Sequence, residues 1–173
     1  MRLNLPPLEQ MHRRYHSAGD IILGHSEIKN GSGTILLARL DSRKRPLIEV
    51  RLRPRTSQRP GIVTVRARIG QDVWNDLVAK SRSLDFRDYS YEKICTAGGS
   101  WTVDVMDSEG NVRSIFHVPC YENGALRYFN ELASTARAVL PKCASLKAEE
   151  FESPEEVLHR CLLPPRRRER LTE

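Results

Sequence analysis

The chain has 173 residues, 39% hydrophobic and 29% charged, which is the length and composition of one ordinary globular domain. This composition excludes an intrinsically disordered chain. It also excludes a membrane-spanning helix, since no run approaches the roughly 18 apolar residues that a span requires. Lys and Arg number 28 against 22 Asp and Glu, a net charge of +6, which favours an anionic partner over a cationic one.

Residues 6–16 read as a short helix, with Pro in its first turn and Leu8, Met11 and Tyr15 on one face. The residues before it, Met1 to Pro7, lack the apolar core and the small-residue cleavage site of a signal peptide. Strands are predicted over 20–28 and 34–40, joined by the turn Asn30-Gly31-Ser32-Gly33. The next two segments alternate strictly. Over 46–53, Ile48, Val50 and Leu52 oppose Glu49, Arg51 and Arg53. Over 62–69, Val63, Val65, Ala67 and Ile69 oppose Thr64, Arg66 and Arg68. A symmetric hairpin sets Val50 against Val65 and Leu52 against Val63 on the core side, with Glu49 against Arg66 and Arg51 against Thr64 outside. A slip of one residue would turn one apolar set outward, so this register is the expected one.

A helix follows over 71–84, with Val73, Trp74, Leu77, Val78, Ser81 and Leu84 on its apolar stripe and Asp72 and Asp76 near its N-terminus. A short strand is predicted over 89–95. A second hairpin joins 101–106 to 112–118. A four-residue loop, Asp107 to Gly110, sets Val105 opposite Val112, Trp101 opposite Phe116 and Asp104 opposite Arg113. The longest helix is predicted over 123–140, with Leu126, Phe129, Leu132, Ala133, Ala136 and Val139 at helical spacing and Pro141 ending it. Residues 142–152 read as a linker. Ser153-Pro154-Glu155-Glu156 then opens a last short helix with a capping box, and Val157, Leu158, Cys161 and Leu162 form its apolar face. The expected architecture is α+β: a single curved antiparallel β-sheet of about six or seven strands, two main helices on one face, and short terminal helices. Residues 1–163 form one domain, and 164–173, with Arg166-Arg167-Arg168-Glu169-Arg170, form a basic and disordered tail.

Four cysteines are the first candidates for chemistry. In the register above, Cys95 and Cys120 reach the same end of the sheet, and Cys143 and Cys161 flank the linker. Cys95–Cys120 with Cys143–Cys161 is the most economical of the three connectivities that four cysteines allow. Disulfides persist in oxidising compartments, so this pairing favours a periplasmic or secreted protein, and free thiols would favour the cytoplasm. No two cysteines have the close spacing of a zinc site, and His12 and His16, at i and i+4, read as part of a solvated basic helix face, so no metal or cofactor is expected. Gly24-His25-Ser26-Glu27 is not a nucleophile elbow, Gly31-Ser32-Gly33 is too short for a phosphate loop, and Glu149-Glu150 and Glu155-Glu156 read as solvated or capping pairs; no catalytic residue is assigned. Arg51, Arg53, Arg66 and Arg68 share the outer face of the first clear hairpin, with Arg39, Arg43, Lys44 and Arg45 in or beside the preceding turn. Together they make a candidate patch for an anion or a partner. The face lacks the interleaved aromatics with which sheets stack bases, so it suits an acidic protein surface or phosphates without base readout.

Trp74 and Leu77 on a helix, then Cys95, then Gly98-Gly99-Ser100-Trp101 opening a hairpin, then Cys120 before a helix with Ala125, Leu126 and Leu132, resemble a loose group of small exported bacterial proteins of uncharacterised function. The resemblance covers roughly residues 48–140 and implies a compact domain with a Cys–Cys bridge around the Trp hairpin, without any activity or site residues. The expected function is therefore a non-enzymatic binding protein, bacterial and exported, acting on a protein partner with an acidic surface as an inhibitor or immunity-type protein. The alternatives are a phosphate-backbone nucleic-acid binder using the same arginines and an enzyme whose site is assembled by the fold.

Overall fold

A computed structural model of the protein describes residues 10, 13, 19–27, 33–53, 61–84, 100–117 and 124–163, with the side chains of Phe116 and His117 excepted. In the N-terminal stretch, Gln10 and Arg13 are helical and exposed. The rest of the predicted first helix, the predicted strand over 89–95 and the C-terminal tail lie outside the described residues.

The described strands are β1 (Ile21–Glu27), β2 (Gly33–Leu40), β3 (Pro46–Arg53), β4 (Val63–Arg68), β5 (Ser100–Met106) and β6 (Val112–His117). They form one open sheet in the order β4-β3-β2-β1-β5-β6, antiparallel throughout. Four consecutive strands thus make a meander. The chain then crosses by way of α1 (Gln71–Ser83) and adds β5 and β6 on the far side of β1. Helix α2 (Gly124–Val139) follows, then the single turn α3 (Pro141–Ala144) and α4 (Pro154–Leu162).

The main core lies on one face of the sheet. Ile22, Leu36, Ile48, Val50, Leu52, Val103, Val105 and Ile115 meet Trp74, Leu77 and Val78 of α1 and Phe129, Leu132, Ala133 and Ala136 of α2. Both longer helices therefore share that face, as the apolar stripes require. The two helices are also joined by Tyr128, whose hydroxyl donates to the Leu77 carbonyl. Gly24 of β1 lets α2 approach: a Cβ there would stand 2.9 Å from Phe129 Cδ2. The opposite face has its own smaller buried cluster of Ile21, Leu23, Ile35, Leu37 and Met106. β2, whose residues 33–39 are all buried, is covered on both faces, which explains its uninterrupted apolar run Ile35-Leu36-Leu37-Ala38.

The β3–β4 register is the expected one, with Val50 opposite Val65, Leu52 opposite Val63, Glu49 opposite Arg66 and Arg51 opposite Thr64. The β5–β6 register differs by one residue: Val105 faces Arg113, Met106 faces Val112 and Val103 faces Ile115. The cause is the turn. Asp107 pairs with Asn111 across it (Asp107 N–H to Asn111 O, 3.1 Å), and the Asp107 carboxylate accepts the N–H groups of Glu109 and Asn111 at 2.9 Å each. Gly110 takes φ +87°, so the loop proper is Ser108-Glu109-Gly110, a three-residue hairpin ending in a left-handed glycine. Ile115, opposite Val103, therefore enters the core. Pro141 ends α2 as expected, but it also starts a new helical turn that reaches Ala144, inside the stretch 142–152 read as a linker; its fixed φ and missing N–H suit the first helical position.

Candidate functional site

Two constellations stand out, one on each face of the sheet. The first is the arginine face. Pleating puts Arg51 and Arg53 of β3 and Thr64, Arg66 and Arg68 of β4 on the face away from α1 and α2, around Glu49. Glu49 is 1% exposed, yet it is charged, because two guanidinium groups hold it. Arg51 Nε and Nη2 both reach Oε1 at 2.5 Å, and Arg66 Nε donates to Oε2. Burial, the largest single influence, pushes the Glu49 carboxyl up. The hydrogen bonds and charges of Arg66 and Arg51 together outweigh it, so the net displacement is downward. A buried carboxylate thus fixes two arginines side by side, and Arg51, Thr64 and Arg66 line one shallow hollow open to solvent.

The remaining predicted patch residues fall around this pair. Asp41 is the hub of the β2–β3 turn. Its carboxylate accepts the N–H groups of Arg43 (2.8 Å) and Arg45 (2.9 Å) and pairs with Arg45 (3.2 Å) and with Arg68 of β4 (2.6 Å). These bonds, the Arg45 N–H first, hold the Asp41 carboxyl far below the usual range. Lys44, at φ +57°, and Arg43 are exposed on the same turn. Arg53 reaches across to Glu27 at 3.6 Å. Arg39 does not join the surface: it is 7% exposed, and its Nη1 donates to the Leu40 carbonyl at 3.0 Å. Arg51, Arg53, Arg66 and Arg68 thus lie on one face of β3 and β4, with Arg43, Lys44 and Arg45 on the adjoining β2–β3 turn, and Glu27, Asp41 and Glu49 are paired among them. The pairs of Asp41 and Glu27, whose arginine or carboxylate partners are well exposed, contribute little stability, but they hold the guanidinium groups in place.

The second constellation is where α4 docks on the helix-bearing face. Ser153 caps α4 with a complete capping box: its hydroxyl accepts the Glu156 N–H and the Glu156 carboxylate accepts the Ser153 N–H. Glu155 has another task. It is 5% exposed and accepts from Ser26 Oγ of β1 and from Trp101 Nε1 of β5 at 3.4 Å. One turn on, His159 Nε2 shares a 2.7 Å hydrogen bond with Thr34 Oγ1 of β2 and lies 3.9 Å from Glu155 Oε1. Burial lowers the His159 pKa, against the raising influence of Glu155 and Glu156. A hydroxyl, a carboxylate and an imidazole in contact suggest acid–base chemistry, but Ser26 and Thr34 have no exposed surface, so neither hydroxyl can meet a substrate. The group works as a polar anchor for α4. Glu155→Ala is expected to cost about 2 kcal/mol in urea unfolding, because the buried Ser26 hydroxyl loses its acceptor.

The Cys143–Cys161 bridge is present, with Cα atoms 5.3 Å apart, tying α3 to α4. Cys95 and Cys120 lie outside the described residues, as do His12 and His16. Among the described residues no group of three His, Cys, Asp or Glu is placed to hold a metal ion, and no helix is long and apolar enough to cross a membrane. Two features escaped sequence reasoning. Glu155 and His159 lie at i and i+4 and share the stripe of Leu158 and Leu162, a signal that they face inward. Phe151, in the stretch read as a linker, is 95% exposed with φ +67°. No known protein family matches the chain, and no curated protein is significantly similar to it.

Proposed function

We propose that the protein is an exported binding protein that engages an acidic surface of a protein partner through the arginine face of β3 and β4, as an inhibitor or immunity-type protein does. The observation that carries this reading is the pair of arginines fixed by buried Glu49. Guanidinium groups held in advance lose little side-chain entropy on meeting carboxylates, and they offer planar, paired donors. One feature favours a protein over a nucleic acid: the described strands place no aromatic side chain between Arg51, Arg53, Arg66 and Arg68 for bases to stack on. The Cys143–Cys161 bridge suits an oxidising compartment and supports the exported part of the reading.

The test is fluorescence anisotropy of the full chain with two labelled probes, a glutamate-rich peptide and a 20-base-pair DNA duplex, at 50 and 200 mM salt. The peptide is expected to bind at both salts and to lose at least tenfold in affinity with the Arg51→Glu/Arg66→Glu variant. Tighter binding of the duplex, collapsing by orders of magnitude between the two salts, would overturn the proposal in favour of phosphate-backbone recognition.

A further inference from the structure

Phe151 is 95% exposed, and at φ +67° it holds a backbone conformation that a bulky side chain rarely adopts. The loop that carries it is not slack. Arg160 of α4 donates to the Lys147 carbonyl at 2.6 Å and to the two Glu152 carboxylate oxygens at 2.9 and 2.6 Å. The Glu149 N–H donates to Glu152 Oε2 at 2.9 Å, and the Glu152 N–H returns a bond to the Glu149 carbonyl at 3.1 Å. A strained, exposed aromatic ring on a fixed loop contributes nothing to its own fold, whereas aromatic side chains are the common anchors of contacts between molecules. Glu149 and Glu150 beside it are exposed, so a cationic surface is the one that suits it.

The chain itself carries such a surface. Among the described residues one other non-glycine residue is left-handed, Lys44 at φ +57°. Its turn, Asp41 to Arg45, has the same bonding as the turn Asp107 to Asn111. In each, the aspartate carboxylate accepts the N–H groups two and four residues on, and the aspartate carbonyl accepts the N–H three residues on. The left-handed position is Gly110 in one turn and Lys44 in the other, where lysine bears a strain that glycine would not. Folding alone does not account for that choice. Arg43, Lys44 and Arg45 are exposed around the single carboxylate of Asp41, which also holds Arg68.

We propose that the chain associates head to tail, the Phe151 loop of one copy docking on the Lys44 turn of the next. The ring lies over the cationic side chains of Arg43 and Lys44, and Glu150 pairs with them. Within one chain the two do not meet: Phe151 is exposed, and α4 is anchored through His159 to Thr34, seven residues before Asp41 along β2, about 23 Å at the usual strand rise. Loop and turn are different surfaces, so the contact can repeat from copy to copy. Both are ordered in advance, which limits the entropy lost on docking. Two loops bury less than the roughly 1,000 Å² of a stable interface, so the association is weak and grows with concentration. Arg51 and Arg66 take no part in it.

The test is sedimentation velocity of the full chain from about 10 µM to 1 mM at 50 mM salt. The wild-type chain is expected to form dimers and larger species as its concentration rises. Phe151→Ala and Arg43→Glu/Lys44→Glu should each weaken association at least tenfold, and both should fold, since these side chains are exposed. An equimolar mixture of the two variants is decisive. The charge-reversed chain keeps an intact loop and the alanine chain an intact turn, so the mixture should associate as strongly as wild type and stop at one-to-one dimers. A wild-type chain that stays monomeric throughout would overturn the proposal, as would association that neither variant weakens or that mixing does not restore. Binding of the glutamate-rich peptide, and its loss with Arg51→Glu/Arg66→Glu, is read separately, so the arginine-face reading can stand when this one fails.

Discussion

Cys161→Ser is expected to lower the unfolding free energy by about 3 kcal/mol, and the melting temperature by about 6–12 °C, in non-reducing buffer. The bridge closes a loop of sequence separation 18, and most of its effect comes from the chain entropy it removes from the unfolded state. α4 depends on it. A helix of nine residues is far too short to persist alone, so it is held by docking, through buried Val157 and Leu158 and through Glu155 and His159. The pH dependence follows from His159. Its pKa in the folded state lies below the usual imidazole value, so the docked helix prefers the neutral ring. This contribution is fully present above about pH 6.5 and is lost as the pH falls through the lower folded value. Without the bridge, α4 should therefore detach first on acidification, seen as loss of amide protection in 157–162 before global unfolding. A melting shift below about 2 °C would mean that α4 docks without help from the cross-link.

What the sequence revealed, and what it hid, divides along local and non-local lines. Strict alternation in 46–53 and 62–69 gave the first hairpin's register, because any slip would bury arginines. The second hairpin carries the same kind of pattern, yet its register depended on one side chain. The Asp107 carboxylate closes the loop onto Asn111, and nothing in Trp101 to Met106 or Val112 to His117 records that. Arg39 is a related case. Its neighbours in sequence are the basic turn residues, but it sits on β2, whose residues 33–39 are all buried, between β1 and β3 in the middle of the sheet. Glu155 and His159 were legible from helical spacing but were hidden by the capping box beside them. A run of two glutamates after Ser-Pro invites one explanation for both, although one residue caps and its neighbour faces the core. The arginines were visible as a cluster; that Glu49 organises them was not, since a glutamate on an outer strand face normally reads as solvated.

Glu49→Gln is expected to destabilise the fold by about 3 kcal/mol while raising the net charge by one, and the second effect makes the variant decisive for function. Removing one member of a buried ion pair usually costs the most when the partner charges stay buried; here Arg66 is 59% exposed and Arg51 26%, so the cost falls at the lower end of that range. The acid limb of stability should change with it. The Glu49 carboxyl in the folded state lies below its unfolded value, so its contribution is complete above about pH 5 and is lost as the pH falls through the lower folded value. The wild-type chain should show this acid-dependent loss, and the glutamine variant should show less of it in urea unfolding between pH 3 and 7. Binding separates two kinds of recognition. If the arginine face attracts an acidic partner by net charge alone, the added positive charge tightens binding of the glutamate-rich peptide. If recognition needs guanidinium groups fixed in position, Glu49→Gln frees Arg51 and Arg66 and weakens binding by about tenfold, since each long side chain must then be ordered on contact at about 0.5–1.5 kcal/mol. The contacts of Glu49 favour the weakening: each of its carboxylate oxygens holds one guanidinium group, so its loss releases both arginines at once.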